Sequence, residues 1–76
     1  MAKIGVIHWK KFEAFLLEQG CVFKREKGDH RIYWKQGIKR PIIVPRDTEL
    51  PVGIILNNLR TLGVERDVYI AFLSRT

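Results

Sequence analysis

Apolar positions fall at two different spacings along this chain, and the changes of spacing mark its elements. Trp9, Phe12 and Leu16 recur at helical intervals with Phe15 beside them. Lys10, Lys11, Glu13 and Glu18 fill the opposite face, and Gly20 ends the run as a helix C-terminal glycine does. The stretch 21–26 alternates poorly but is rich in strand formers, and Gly28-Asp29 supplies a tight turn before a second strand over 30–35. After the turn at Gln36-Gly37, residues 41–45 read as a short apolar strand. Pro41 and Pro45 bracket it, and because proline cannot donate a ladder hydrogen bond they suit strand ends or an edge. Pro51 fits the first turn of a helix, Val52, Ile55, Leu59 and Leu62 line one face of it, and Gly63 stops it. From about Glu65 a last turn or two begins with Glu65 and Asp67, ends with Arg75 and presents Val68 and Phe72 as an inner pair.

The predicted order is α-β-β-β-α with a short extra C-terminal helix, an α+β fold whose three-stranded antiparallel sheet carries its helices on one face. One domain over residues 1–76 is expected, with the other face of the sheet open to solvent. By strand parity Ile32 and Trp34 read as inner, and Arg31, Tyr33 and Lys35 as outer. His30 shares the inner parity, but as the first residue of its strand it can reach the rim.

Charge adds to this picture through its placement. The chain has 14 Lys and Arg against eight Asp and Glu, a net +6. The segment 24–46 holds Lys24, Arg25, Lys27, Arg31, Lys35, Lys39, Arg40 and Arg46 against only Glu26 and Asp29, so it carries the whole excess. Such clustering suits a phosphate-rich partner, since neutralised phosphates release counterions. The plainer reading is a strand face kept soluble by its cations. Tyr33 and Trp34 also divide between two roles, as platforms for unpaired bases or as packing; the core suits Trp34 better, and Tyr33 is evenly balanced.

A chain of 76 residues buries roughly 60% of its unfolded surface and has no room for a deep catalytic cavity. Chemistry on it must sit on an open face and act on a large substrate. Cys21 is the only cysteine, which excludes an internal disulfide and suits a small buried hydrophobe. The N-terminal segment is too polar for a signal peptide, so a cytoplasmic protein is expected. His8, Cys21, Asp29 and His30 lack metal-ligand spacing, and neither a phosphate-binding glycine loop nor a Ser/His/Asp arrangement can be traced; no metal or cofactor is expected. His8 reads as structural or solvated. His30 has a sharper reading, because one imidazole among cations is enough to move a proton from a 2′-hydroxyl while Arg25, Lys27 and Arg31 hold a phosphate. A turn histidine bonded to nearby backbone is the alternative.

The set Gly20-Cys21, Arg25, Gly28-Asp29-His30, Pro45-Arg46-Asp47, Glu49-Leu50, Gly53, Asn58-Leu59 and Leu62-Gly63 resembles the HicA or YcfA-like toxins, over about residues 9–64. These are small mRNA interferases of toxin and antitoxin pairs. The resemblance implies a double-stranded-RNA-binding-domain-like fold, RNA cleavage dependent on one histidine, and silencing by a HicB antitoxin that covers the active face. His30 occupies the position of that histidine. Asp29 stands where the family usually has Ser, and Asp47 where many members have His; both place a carboxylate near a site for phosphate. Asp29 can also orient the neighbouring imidazole. The expected function is a metal-independent endoribonuclease toxin, with a non-catalytic RNA-binding module as the alternative. A protein-interaction domain for an acidic partner accounts for the charge but leaves His30 without a task.

Overall fold

Helix α1 (Trp9–Glu18) begins at His8, whose Nδ1 accepts from the Lys10 amide at 3.1 Å and so satisfies one of the amides a helix start leaves open. The computed structural model of the protein describes residues 4–75. Strands β1 (Val22–Lys27) and β2 (His30–Trp34) follow as a hairpin in which Lys27 pairs with His30. The two-residue turn between them puts Gly28 at φ 60°, a left-handed backbone that glycine adopts without a side-chain clash. Strand β3 (Ile42–Pro45) pairs antiparallel with β2, giving the order β1-β2-β3. Helix α2 (Val52–Leu62) starts after Pro51 and ends at Gly63, whose φ of 72° lets the chain turn back so that Val64 donates to the Leu59 carbonyl at 3.0 Å. Helix α3 (Arg66–Arg75) closes the chain.

The helix–strand order matches the expectation, but three details of packing differ from the sequence pattern. The first is parity. Tyr33 is fully buried against the helices, together with Ile42 and Val44 of β3, while Ile32 and Trp34 are partly exposed on the opposite face. The register fixes this: Tyr33 lies across from Ile42, Arg31 from Val44, and Ile32 from Ile43. Apolar character alone assigns Ile32 and Trp34 inward. Tyr33 suits the inner position because its hydroxyl finds a partner there, as most buried phenols do.

The second difference lies in α3, whose ten residues exceed the turn or two expected. Tyr69 and Phe72 point inward and Val68 is 44% exposed. The two inner aromatics complete a cluster with α1, with ring centroids of Phe15 at 5.0 Å from Tyr69 and 5.3 Å from Phe72. Aromatic edge-to-face packing of this kind adds about 0.5–1.5 kcal/mol per pair beyond area burial. The third is Asn58, a buried polar residue on α2 whose Nδ2 donates to the Ile43 carbonyl at 3.2 Å, tying the helix to the edge strand.

Strand β1 is exposed along its length, and a bulge between Phe23 and Arg25 leaves Lys24 as its unpaired extra residue. The helices therefore cover β2 and β3, and β1 projects beyond them.

Candidate nucleic-acid interface

Cross-strand partners share a face, so the register sorts every charged residue of the sheet. On the open face, Lys27 lies beside His30, Arg25 beside Ile32, and Val22 beside Trp34, with Ile43 and Pro45 continuing the surface on β3. His30 is exposed, and its ring makes no hydrogen bond among the described residues. Neither Arg25 nor Lys27 has a carboxylate within ion-pair distance among the described residues. The result is a face with an apolar middle, two unneutralised cations and one imidazole.

The other face has used its cation. Arg31 donates through Nε to Glu13 at 3.1 Å and through Nη1 to Glu26 at 2.9 Å, and its guanidinium lies 4.0 Å from the centroid of the Phe23 ring, within cation–π reach of Trp9 as well. The Tyr33 hydroxyl donates a short hydrogen bond to the same Glu13 carboxylate. Hydrogen bonding to the Tyr33 hydroxyl and to Glu26 outweighs burial and holds the Arg31 pKa above its ordinary value. Burial, with the bond to Glu13, pushes the Tyr33 phenol up to about 12. The expectation that Tyr33 meets RNA is thus corrected: a ring with no exposed surface cannot stack on a base. Arg31 is likewise committed to Glu13 and Glu26 rather than turned toward a phosphate on the open face.

Arg46 occupies a middle position. Its Nη2 lies 3.8 Å from both Glu26 and Asp29, and its amide donates to the Asp29 carbonyl at 2.8 Å, which pins the start of β2 to the end of β3. The Asp29 side chain is 88% exposed beside His30. The Asp47 carbonyl accepts from the Trp9 amide at 3.1 Å and so helps to position α1. Lys24 projects from the bulge on β1, outside the paired ladder.

Two depressions reach His30. One is a shallow surface on the open face, lined by Lys27, Gly28, Asp29, His30, Ile32 and Ile43. The other, of about 310 Å³, runs between β3 and α2 and shares His30 and Ile43 with the first. Asp47 lines neither. Lys35, Lys39 and Arg40, which the sequence grouped with the other cations, stand in the β2–β3 connection at the far end of the strands, where Arg60 of α2 joins them around a recess of about 440 Å³. Arg60 escapes a reading of the sequence because it lies 20 residues beyond Arg40, in the segment 47–76, where four acidic residues outnumber three arginines. Its only signal is its place on the polar side of an amphipathic helix.

The model of the HicA toxin of bacterial toxin–antitoxin systems matches residues 9–64. The chain belongs to the HicA toxin family. No curated protein and no solved structure matches it. In this HicA chain the matched stretch begins at the first residue of α1 and ends just past Gly63, so α3 lies outside it although Tyr69 and Phe72 complete the core. Membership in a toxin–antitoxin family implies an antitoxin as partner. No helix among the described residues is long and apolar enough to cross a membrane, and among them no three His, Cys, Asp or Glu side chains gather as a metal centre requires. Cys21 is buried and its thiol is pushed up by that burial, which makes it a poor nucleophile.

Proposed function

We propose that this HicA-family chain is a metal-independent endoribonuclease that cleaves mRNA in the cytoplasm and is silenced by a HicB-like antitoxin, all within one domain. The observation that carries the reading is the position of His30, exposed on the open face with Lys27 directly across the ladder and lining two depressions at once. Transesterification of RNA needs a proton taken from a 2′-hydroxyl and charge stabilised on the phosphorane. His30 moves the proton. Lys27 and Arg25 hold the phosphate, and the apolar surface of Ile32 and Ile43 supports the sugar or base. An open site with one acid/base group makes a slow nuclease, which suits a toxin whose target is abundant.

The test is RNA cleavage by the purified protein in excess chelator, beside His30→Ala, with binding to the same RNA followed in parallel. Positioned acid/base groups contribute about 10²- to 10⁴-fold, so the variant should bind as before and cut at the background rate. Cutting by both proteins would remove His30 from the chemistry. The second reading, a binding module without catalysis, is favoured by one feature: the His30 ring has no orienting hydrogen bond among the described residues, and its neighbour Asp29 sends its carboxylate into solvent near Arg46. Binding without cutting by either protein would establish that reading.

A further inference from the structure

The groove between β3 and α2 does not stop at His30. Its lining passes from His30 and Pro45 along Ile43 and Asn57 to Thr61 and Arg40, and Arg40 and Thr61 are shared with the cationic recess that also holds Lys35, Lys39 and Arg60. The two cavities adjoin at Arg40 and Thr61, so that together they trace a path along the edge of the sheet. From Pro45, which pairs with His30, to Arg40 the chain advances five residues, or about 16 Å of extended backbone. One end of this path is the imidazole, and the other is a set of four cations.

We propose that this path is the seat of an unpaired RNA strand, with the scissile phosphate at His30 and the neighbouring phosphates led to Arg40, Lys39, Lys35 and Arg60. The inference rests on the RNA-cleavage reading above and adds the strandedness of the substrate and the part played by α2. Three observations support it. The far recess is lined by four cations and no acid. The end of α2 contributes only about half a unit of negative charge there, so the excess stays positive and an anion is the occupant it favours. The middle of the path alternates Pro41, Ile43, Pro45 and Ile54 with the amide of Asn57. Apolar surfaces of this kind accept base faces, and an amide can both donate and accept at a Watson–Crick edge; faces and Watson–Crick edges are free only when the base is unpaired. Finally, a cavity of about 310 Å³ between a strand and a helix admits one chain. A duplex has to lie across a broad face, because it is read by shape and by phosphates on both sides of a groove.

The test uses fluorescein-labelled oligouridylate and its duplex with oligoadenylate, titrated in the His30→Ala background so that the strand survives. Four further forms of that protein are compared: Arg40→Ala with Arg60→Ala, Asn57→Ala, Arg60→Lys, and Lys10→Ala, which removes an exposed cation of α1 that lines neither cavity. The single strand should bind more tightly than the duplex, and Asn57→Ala should narrow that difference. The double variant should lose about tenfold in affinity, and its dependence of log K on log salt should flatten by about 0.7 for each phosphate no longer neutralised. Arg60→Lys should keep the salt slope, and Lys10→Ala should change neither quantity. Equal or tighter binding of the duplex overturns the proposal, as does a double variant with unchanged affinity and slope. Displacement of oligouridylate by polyglutamate as readily as by unlabelled oligouridylate also overturns it, by reducing the path to a general anion surface. Cleavage by the protein with His30 intact is read separately. If that protein cuts RNA while the path variants bind normally, the path is refuted and the nuclease stands; if it neither binds nor cuts, both fall.

Discussion

Strand β2 carries two chemistries on alternate residues, and the contrast between its faces separates stability from function in this small protein. On the covered face Arg31 and Tyr33 converge on Glu13, with Glu26 taking the other arm of the guanidinium. On the open face His30 and Ile32 lie between the cations of β1 and the apolar Pro45 and Ile43 of β3. Both faces contain positive charge, yet only one has it unspent. A cation already bonded to two carboxylates offers little to an incoming phosphate, because each bond to the phosphate would have to replace one already made.

The covered face should fail first in alkali. Tyr33 and Tyr69 are both fully buried, and both phenols are pushed up to about 12. The sign follows from linkage: the unfolded chain ionises these groups near 10 and the folded one does not, so between about pH 10 and pH 12 the unfolded state binds fewer protons and stability falls as pH rises. The stabilisation is complete below pH 10. The loss should be on the order of 2 kcal/mol for each tyrosine by pH 12, read as a falling denaturation midpoint. The two tyrosines differ in a way that substitution exposes. The Tyr33 hydroxyl has Glu13 as partner, whereas the Tyr69 hydroxyl is buried without one among the described residues. Tyr33→Phe should therefore cost about 1 kcal/mol at neutral pH, and Tyr69→Phe should be neutral or stabilising, because it removes a polar group left unpaired. Each variant should also lose its share of the alkaline decline. Equal costs at neutral pH would break the distinction.

This pair also shows what is legible in the sequence and what is not. The helical spacing of Phe12, Phe15 and Leu16, the Gly28-Asp29 turn and the prolines at residues 41 and 45 are local signals. The elements they announce are present, within a residue or two. The parity of β2 runs against its own residues because it depends on a partner 20 residues away: Glu13 on α1 makes the inner position suitable for a tyrosine hydroxyl and an arginine. No property of residues 30–34 alone encodes that. Val68 is displaced from the core by Tyr69 for the same kind of reason, since hydropathy ranks valine as the more buried, but the partner is Phe15 of α1, against which the Tyr69 ring packs edge to face. Of the candidate site, the central cation cluster is visible as composition. Its division into an open face, a spent pair and a far recess requires the register and the return of α2.

A second, smaller effect sharpens the contrast within the covered face. Arg31→Ala removes the guanidinium from between Glu13 and Glu26 and from the Phe23 ring, leaving two carboxylates near each other with less compensation. Breaking a buried pair costs about 3–5 kcal/mol, but the side chains of Arg31 and Glu13 are still 21% and 22% exposed, and solvent screening reduces the expected loss to about 2 kcal/mol. In a chain of this size that lowers Tm by about 8–16 °C. RNA affinity, measured well below the new Tm, should change by less than about twofold, since a committed guanidinium neutralises little phosphate charge. A large loss of RNA affinity with little loss of Tm would place Arg31 among the binding residues and undo the division of the two faces.

The smallest effect on folding should come with a clear effect on binding, on the open face. Arg25 and Lys27 lie on an edge strand that the helices do not cover, and neither has an acidic partner among the described residues. Replacing such exposed side chains changes stability by within about 0.5 kcal/mol, so the Arg25→Ala and Lys27→Ala proteins should unfold with unchanged midpoints. Each should weaken RNA binding by about fivefold, roughly 1 kcal/mol, and reduce the salt slope by about 0.7. Arg25→Lys and Lys27→Arg divide charge from geometry. If the phosphate is held by a bidentate fork, Arg25→Lys loses affinity at constant slope; if it is held by charge alone, the lysine serves as well. Lys27, directly across the ladder from His30, should matter more for cleavage than for binding, since a cation beside the reacting phosphate acts mainly on the charge that develops during the reaction. A Lys27→Ala protein that loses affinity with kcat unchanged would show that the residue contributes to binding alone, and would move the reacting phosphate away from the end of β1.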